Sequence, residues 1–281
     1  MGLLNTLSFI ADHPLTRSDK LGALTRFARW QIGSRLMPGA IVVDFIDDTK
    51  LVVTPGMTGA TGNIYCGLHE YEDMAFALHV LRPGDLFVDV GANVGSYTVL
   101  AGAAGADVLA FEPGERFTDL QRNVAINGMN AELRNQAVGA EAGTLRFTVG
   151  LDSINRAALD DEPFVEVPVV PLDEAVGERV PVLIKVDVEG YEGAVLAGGA
   201  RPFGAATAVI MELNGQTLRY GHDEDDVRAA MSELGYVLTG YDPVKRCLKP
   251  PTARGNSIFV RGEVEERLRN SRQFRVLGQL V

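Results

Sequence analysis

The sequence predicts an α/β fold, a mostly parallel sheet with helices on both faces, preceded by a helical and hairpin extension. Three observations carry this. From residue 86 onward, short continuous apolar runs alternate with helical stretches, among them LFVDV (86–90), DVLAF (107–111), VLIKVDV (182–188) and TAVIMEL (207–213). Strands apolar at nearly every residue are buried on both faces, as happens when βα units wind a parallel sheet between two helical layers. The first run leads through VDVGANVGSYT into a helix, with glycines where the chain must turn tightly. Finally, 46 % of the 281 residues are hydrophobic and 22 % charged, ordinary for a globular chain of one large or two small domains.

Taken in order, residues 1–37 read as helical. Leu21, Leu24, Phe27, Ala28 and Ile32 recur at three- and four-residue steps, with Arg26, Arg29 and Arg35 between them. This is the one locally basic stretch; it reads either as a helix packed on the domain with solvated arginines or as a contact for an anionic surface or substrate. IVVDF and KLVVTP around Asp47-Asp48 predict a β-hairpin over 40–55, and 56–67 a glycine-rich loop. Residues 72–81 form a helix with Met74, Leu78 and Leu81 on one face, stopped by Pro83-Gly84. Helices over 94–103 and 115–127 follow the first two sheet strands, and a third strand covers 132–138. TLRFTV (144–149) and FVEVPVV (164–170) read as an antiparallel insertion. Helices over 190–198 and 224–234 follow the next two strands, and YVLTGY (236–241) and SIFV (257–260) finish the sheet. The division expected is an extension over 1–64, a main domain over 65–262 and a helical tail over 263–281.

Lys plus Arg number 26 against 37 Asp plus Glu, a net charge of −11. That argues against a dedicated nucleic-acid partner, which needs a basic face for phosphates. Cys66 and Cys247 form no CxxC pair and read as free thiols in a reducing compartment, so a cytoplasmic location is expected. The longest mostly apolar stretch, 97–106, is about half the ~20 residues of a membrane-spanning helix, and no basic n-region of a signal peptide precedes it. Met1-Gly2 with Thr6 fits the short myristoylation pattern, which is common by chance. A monomer and a homo-oligomer are both compatible with the sequence.

In such sheets ligands bind beyond the carboxyl ends of the strands. Gly91 and Gly95 bracket the turn after the first strand, where missing side chains let a ligand approach the backbone and a helix N-terminus offers free N–H groups. Asn93 stands where a dinucleotide fingerprint needs its middle glycine. Asp89 lies within the strand. Glu112 ends the next one, 21 residues after Gly91, where an acid reaches ribose hydroxyls and can accept from two at once. The plainer reading of Glu112 is a solvated loop carboxylate.

VDVGANVGSYT, FEP and IKVDVEGYE occur in that order at the spacing of successive strands. Together they resemble the S-adenosylmethionine-dependent methyltransferases of the FkbM family, over roughly residues 65 to 260. The resemblance implies the seven-stranded, Rossmann-like class I methyltransferase fold and S-adenosyl-L-methionine as methyl donor. It implies Gly91, Asn93 and Gly95 beside the methionine portion, Asp89 supporting their turn, Glu112 on the ribose and Ala137 facing the adenine. It also implies an acid near the start of the 72–81 helix. Tyr65, His69, Glu70 and Glu72 are the residues there that could roof the donor, and Glu72 is the choice the resemblance favours. The acceptor it implies is a hydroxyl oxygen of a sugar, a glycan or another polyhydroxylated metabolite.

Alternation along a strand puts Lys185, Asp187 and Glu189 on one face. Two acids and an amine converging at a strand end suit proton removal from an acceptor; the plainer reading is an ion pair that stiffens the sheet, with Glu192 solvated. Glu212 and Asn214 in the following MELNG run would stand beside Asp187, an all-oxygen set compatible with Mg²⁺. His222, in an acidic helix start, is a further candidate base. The rival functions are N-methyl transfer, a nicotinamide-dependent oxidoreductase and a catalytically silent nucleotide-binding scaffold.

Overall fold

The computed structural model describes residues 2–36, 39–150, 155–159, 162–221, 223–252 and 255–281, so His222 lies outside the described residues. The chain starts with helices α1 (Leu3–Asp12) and α2 (Lys20–Leu36), followed by the antiparallel hairpin β1 (Ile41–Asp44) and β2 (Lys50–Val53). The Asn123 and Asn127 side chains accept from the backbone N–H groups of Val52 and Lys50, at 2.6 and 2.8 Å, and hold the hairpin to the main domain. Most of the expected glycine-rich loop is instead a helix, α3 (Thr58–Cys66), ahead of α4 (Tyr71–Val80). Glycine costs a helix about 1 kcal/mol relative to alanine. Here packing overrides it: Ala60, Tyr65 and Cys66 are buried, and a side chain at position 62 would collide with the His69 ring.

The main domain continues with β3 (Leu86–Val90), α5 (Ser96–Ala103), β4 (Asp107–Phe111), α6 (Phe117–Ile126) and β5 (Ala131–Arg134). Next come β6 (Ala137–Val138), β7 (Gly143–Thr148), β8 (Phe164–Val170), α7 (Leu172–Val176), β9 (Pro181–Val186), α8 (Glu192–Ala197), α9 (Ala200–Ala205) and β10 (Ala208–Met211). A 3-10 turn over Gln216–Tyr220 leads to α10 (Glu224–Glu233), β11 (Val237–Asp242), β12 (Cys247–Lys249) and β13 (Ser257–Val260). The chain closes with α11 (Val264–Arg269) and a small ribbon of β14 (Arg275–Val276) and β15 (Gln279–Leu280).

The large sheet has the order β12-β11-β13-β10-β9-β3-β4-β5. Pairings from β10 through β9, β3 and β4 to β5 are parallel, whereas β13 runs antiparallel to both of its neighbours. The seven strands expected from the sequence are all represented in this sheet, and β12 adds an eighth at the edge. The run read as one strand over 132–138 divides. β5 stays in the large sheet, while β6 pairs with β8 in a separate three-stranded sheet, β6-β8-β7. In this second sheet β7 and β8 pair antiparallel, as the insertion was read.

Neighbouring residues of one strand go to opposite cores. Phe87, Leu183 and Ile210 pack with α4, α5 and the N-terminal elements; Val88, Ile184 and Val209 pack with α8, α9 and α10. This two-sided burial is why the strands read as continuous apolar runs. The strand order reverses between β3 and β9, which makes the carboxyl ends of β3, β4, β9 and β10 a crevice. Among the described residues no helix is long and apolar enough to cross a membrane.

Candidate functional site

Two adjoining clefts open at those carboxyl ends. The first, about 620 Å³, runs between the ends of β3 and β4 and the small sheet, and is lined by Phe111, Glu112, Ala137, Val138, Leu145 and Phe147 among others. The second, about 740 Å³, is polar, lined by Asn63, His69, Glu70, Asp89, Ser96, Tyr97, Lys185 and Glu212. Gly91, Asn93, Asp187 and Glu189 line both.

The turn after β3 is built by conformation. Gly91 has φ +80°, and a Cβ there would collide with the Asp187 carbonyl oxygen. The missing side chain thus makes room for the turn after β9, while the Gly91 backbone still lines both clefts. Asn93 also has a positive φ, 52°, uncommon for a residue with a side chain. Its Oδ1 accepts from the Val94 N–H at 2.8 Å and its own N–H donates to Glu112 Oε2 at 2.7 Å. Gly95, at φ +91°, precedes α5 and backs onto Leu120. It lines neither cleft, and its left-handed conformation and close packing serve the turn and the start of α5. Asp89 is fully buried and borders the polar cleft. Its Oδ2 accepts from Thr98 Oγ1 at 2.7 Å, tying β3 to α5, while Oδ1 has no hydrogen-bond partner.

Glu112 is 6 % exposed and not a solvated loop carboxylate. Burial pushes its pKa up to about 8; the charges of Asp187 and Asp89 add to the rise, and the Asn93 N–H opposes it. A carboxyl raised in this way stabilises the fold below its unfolded pKa and loses that contribution as pH rises toward 8. Glu112→Gln is thus expected to raise the melting temperature relative to the parent at pH 8–9 and to do so much less at pH 5, a contrast that calorimetric melts at the two pH values measure. Ala137 opens β6 and lines the first cleft beside Leu145 and Phe147.

The second half of the site is a charge cluster. Lys185 is 3 % exposed, its Nζ 2.8 Å from Asp187 Oδ2 and 4.7 Å from the Tyr97 ring centroid. The Tyr97 hydroxyl in turn donates to Glu70 Oε2 at 2.7 Å. Burial works against the ammonium, but the carboxylates of Asp187, Asp89 and Glu70 outweigh it and hold Lys185 charged. Burial would likewise raise Asp187; Lys185 and a hydrogen bond with Glu212 outweigh that and keep it ionised. Burial and the Asp187 charge push Glu212 well above the carboxylate range, so Glu212 keeps its proton beside the ionised Asp187. Such a pair shares one proton because two adjacent carboxylates cannot both ionise. Glu189, at φ +55°, accepts from Gln216 Nε2, and its pKa is raised by burial and by Asp187.

β9 ends at Val186, so Asp187 and Glu189 stand on the turn beyond it and not on a continuing strand. Glu192 is buried, which does not fit the plainer reading that had it solvated. It accepts from the N–H groups of Gly190 (3.1 Å) and Val188 (3.4 Å), knotting this turn, and burial pushes it up to about 7.

Three of the residues singled out lie outside both clefts. Glu72 pairs with Lys249 at 2.6 Å and lines neither cleft; Glu70, the residue just before α4, faces the polar cleft in its place. Tyr65 also stays outside both clefts, its hydroxyl accepting from Gln31, whereas His69 lines the polar one. Asn214 is exposed, accepts from the Gln216 N–H at 3.2 Å and lines neither cleft. The oxygens that come together, within 4.8 Å of one another, belong to Asp187, Glu189 and Glu212. Lys185 and the Glu212 proton already balance much of their charge, so a cation here would have to displace that proton. Tyr97, Asn63 and Gln216 join the site without having been singled out. For Tyr97 the available signal was its position two residues after Gly95 in the turn motif.

Comparisons with known proteins follow this geometry. The chain is 31 % identical over 157 residues to 31-O-demethyl-FK506 methyltransferase FkbM of Streptomyces tacrolimicus, a match covering 42 % of this chain and 60 % of that protein. It is 29 % identical over 170 residues to hexuronic acid methyltransferase AglP of Haloferax volcanii, covering 58 % of this chain and 68 % of the relative. The chain thus spans about three fifths to two thirds of these relatives. Among solved structures, an rRNA methylase from Streptococcus thermophilus aligns at 14 % identity and a TM-score of 0.41 over 67 % of this chain and 93 % of that one, too distant to bear on function. A family model described as the methyltransferase FkbM domain matches residues 89–238, a span that opens at Asp89 on β3 and closes in β11. Because that match takes in more than half of the chain and both halves of the crevice, the protein belongs to the methyltransferase FkbM domain family.

Proposed function

We propose that the protein transfers the methyl group of S-adenosyl-L-methionine to a hydroxyl oxygen of a sugar, a glycan or another polyhydroxylated metabolite. The observation that carries this reading is the meeting of the two clefts. An apolar cleft edged by the buried Glu112 shares Gly91 and Asn93 with a polar cleft holding Lys185, Asp187 and Glu189. Phe111, Ala137, Val138 and Leu145 suit an adenine, Glu112 the ribose, and the turn from Gly91 to Asn93 the methionine portion. When bound, the donor supplies an electrophilic sulfonium methyl. Glu189, its pKa raised by burial and by Asp187, is the base that removes the acceptor proton. Asp187 stays ionised on Lys185 and orients the acceptor, and Glu212 holds the shared proton. The names of the two relatives, one a 31-O-demethyl substrate and the other a hexuronic acid, support oxygen over nitrogen as the accepting atom.

Calorimetry with S-adenosylmethionine, its demethylated product and NAD tests the reading; binding of NAD with no binding of either methyl-donor form would sink it. Glu112→Ala is expected to weaken donor binding by about 1–3 kcal/mol, the cost of leaving hydroxyl partners unpaired. An unchanged dissociation constant would remove Glu112 from the donor site.

The close approach of Asp187, Glu189 and Glu212 favours a second reading, in which a divalent cation such as Mg²⁺ polarises the acceptor hydroxyl. Chelation is expected to leave turnover unchanged, because Lys185 and the Glu212 proton already balance the cluster. Loss of turnover with EDTA and its return with Mg²⁺ would favour the metal.

A further inference from the structure

We propose that α2 is a docking surface for an anionic lipid membrane. In a chain of net charge −11, this 17-residue helix carries Lys20, Arg26, Arg29 and Arg35 and no acid. One side of it is committed to the protein. Ala23 and Trp30 are buried, Phe27 meets the Tyr65 ring edge-on, and Arg26 donates to the Tyr65 carbonyl. The other side is an apolar stripe that nothing among the described residues covers: Leu21 is 77 % exposed, Ile32 60 % and Leu36 75 %, with Leu24 and Ala28 between them at helical steps. On a helical wheel Lys20 and Arg29 border the stripe on opposite edges. Among the described residues neither of them makes an ion pair, and Arg35 bonds only to Gln31 of its own helix.

An apolar stripe between cationic edges is the pattern of a helix lying in the plane of a membrane. The apolar side chains enter the acyl boundary and the cations meet phosphate headgroups. The charge selects this occupant over a second copy of the chain, since a two-fold contact through the stripe would bring Lys20 and Arg29 of one copy against those of the other. Through its other, buried side the helix packs on α3, whose Gly59 and Asn63 line the polar cleft.

The test is flotation of the full chain with vesicles of phosphatidylcholine alone and with phosphatidylglycerol added. Partition onto the anionic vesicles is expected, at least tenfold stronger than onto the neutral ones and weakened by salt. Lys20→Glu/Arg29→Glu should lower it about fivefold or more per cation, and Leu21→Glu/Ile32→Glu at least tenfold. Circular dichroism melts unchanged from the parent would show that these exposed positions leave the fold intact. Failure to float with anionic vesicles, or flotation indifferent to both double variants, overturns the proposal. So does a concentration-dependent dimer that Leu21→Glu/Ile32→Glu dissociates without any vesicle binding, which would assign the stripe to a second copy. None of these outcomes depends on methyl transfer.

Discussion

Glu189→Gln is expected to lower single-turnover methyl transfer about 10²- to 10⁴-fold, the range for removing a positioned general base, while donor affinity stays close to that of the parent. Glutamine keeps the size of the side chain and can still accept from Gln216, so the left-handed turn at this residue is preserved. What disappears is the group able to take a proton. The measurement is transfer from labelled donor with enzyme in excess, run beside a binding titration. Turnover near the parent value would move the base elsewhere, with His69 in the same cleft the next candidate. Loss of donor binding together with turnover would make the cluster part of the donor pocket and leave proton removal unassigned.

Lys185→Met should cost about 3–5 kcal/mol of stability, the penalty for leaving a buried charge without its partner. The ammonium is the counter-charge for both Asp187 and Asp89, and Asp89 already has an oxygen with no hydrogen bond. Asp187 is ionised in the parent because Lys185 lowers its pKa; that contribution exists above the unfolded pKa and is lost as pH falls. Without the ammonium, burial dominates and Asp187 is raised, so folding favours its protonated form and stability falls as pH rises. The difference between parent and variant must therefore widen from acid to neutral pH. Urea unfolding at pH 5 and pH 8 measures this, and adding Asp187→Asn to the variant should recover part of the loss, a coupling that a double-mutant cycle isolates. A variant within 1 kcal/mol of the parent at both pH values would mean that the pair contributes nothing net.

Much of the sheet was legible because its central strands, β3, β9 and β10, are buried on both faces. A run such as VLIKVDV has no solvent-facing phase, and that pattern has few meanings other than a covered parallel strand. The clustering of Lys185, Asp187 and Glu189 was legible for a related reason: three ionisable groups at alternate positions in an apolar run demand mutual compensation wherever they fold. Other features depend on contacts that no local pattern encodes. Glu70 and Glu72 are both acids beside one helix start, and which of them faces the cleft depends on where α4 begins and on a lysine 177 residues further along the chain. The glycines of α3 looked like a loop because their helix is held by α2 and by the His69 ring, not by propensity. The surroundings of Gly95 and Asn214 were likewise hidden: the first backs onto Leu120 and the second is exposed. β6 is two residues long, too short to announce a change of sheet.

The collision that a side chain at Gly91 would make with the Asp187 carbonyl joins two parts of the molecule usually considered apart. The turn after β3 and the turn carrying Asp187 and Glu189, to which the proposed function gives the donor and the proton transfer, share a van der Waals surface, so neither can relax alone. Energetically they form one lever: a disturbance that loosens the first must reposition the second. Donor occupancy and acceptor alignment are then linked quantities, with a coupling free energy that is reciprocal by necessity. Sequence drift at either turn would also be constrained by the shape of its neighbour.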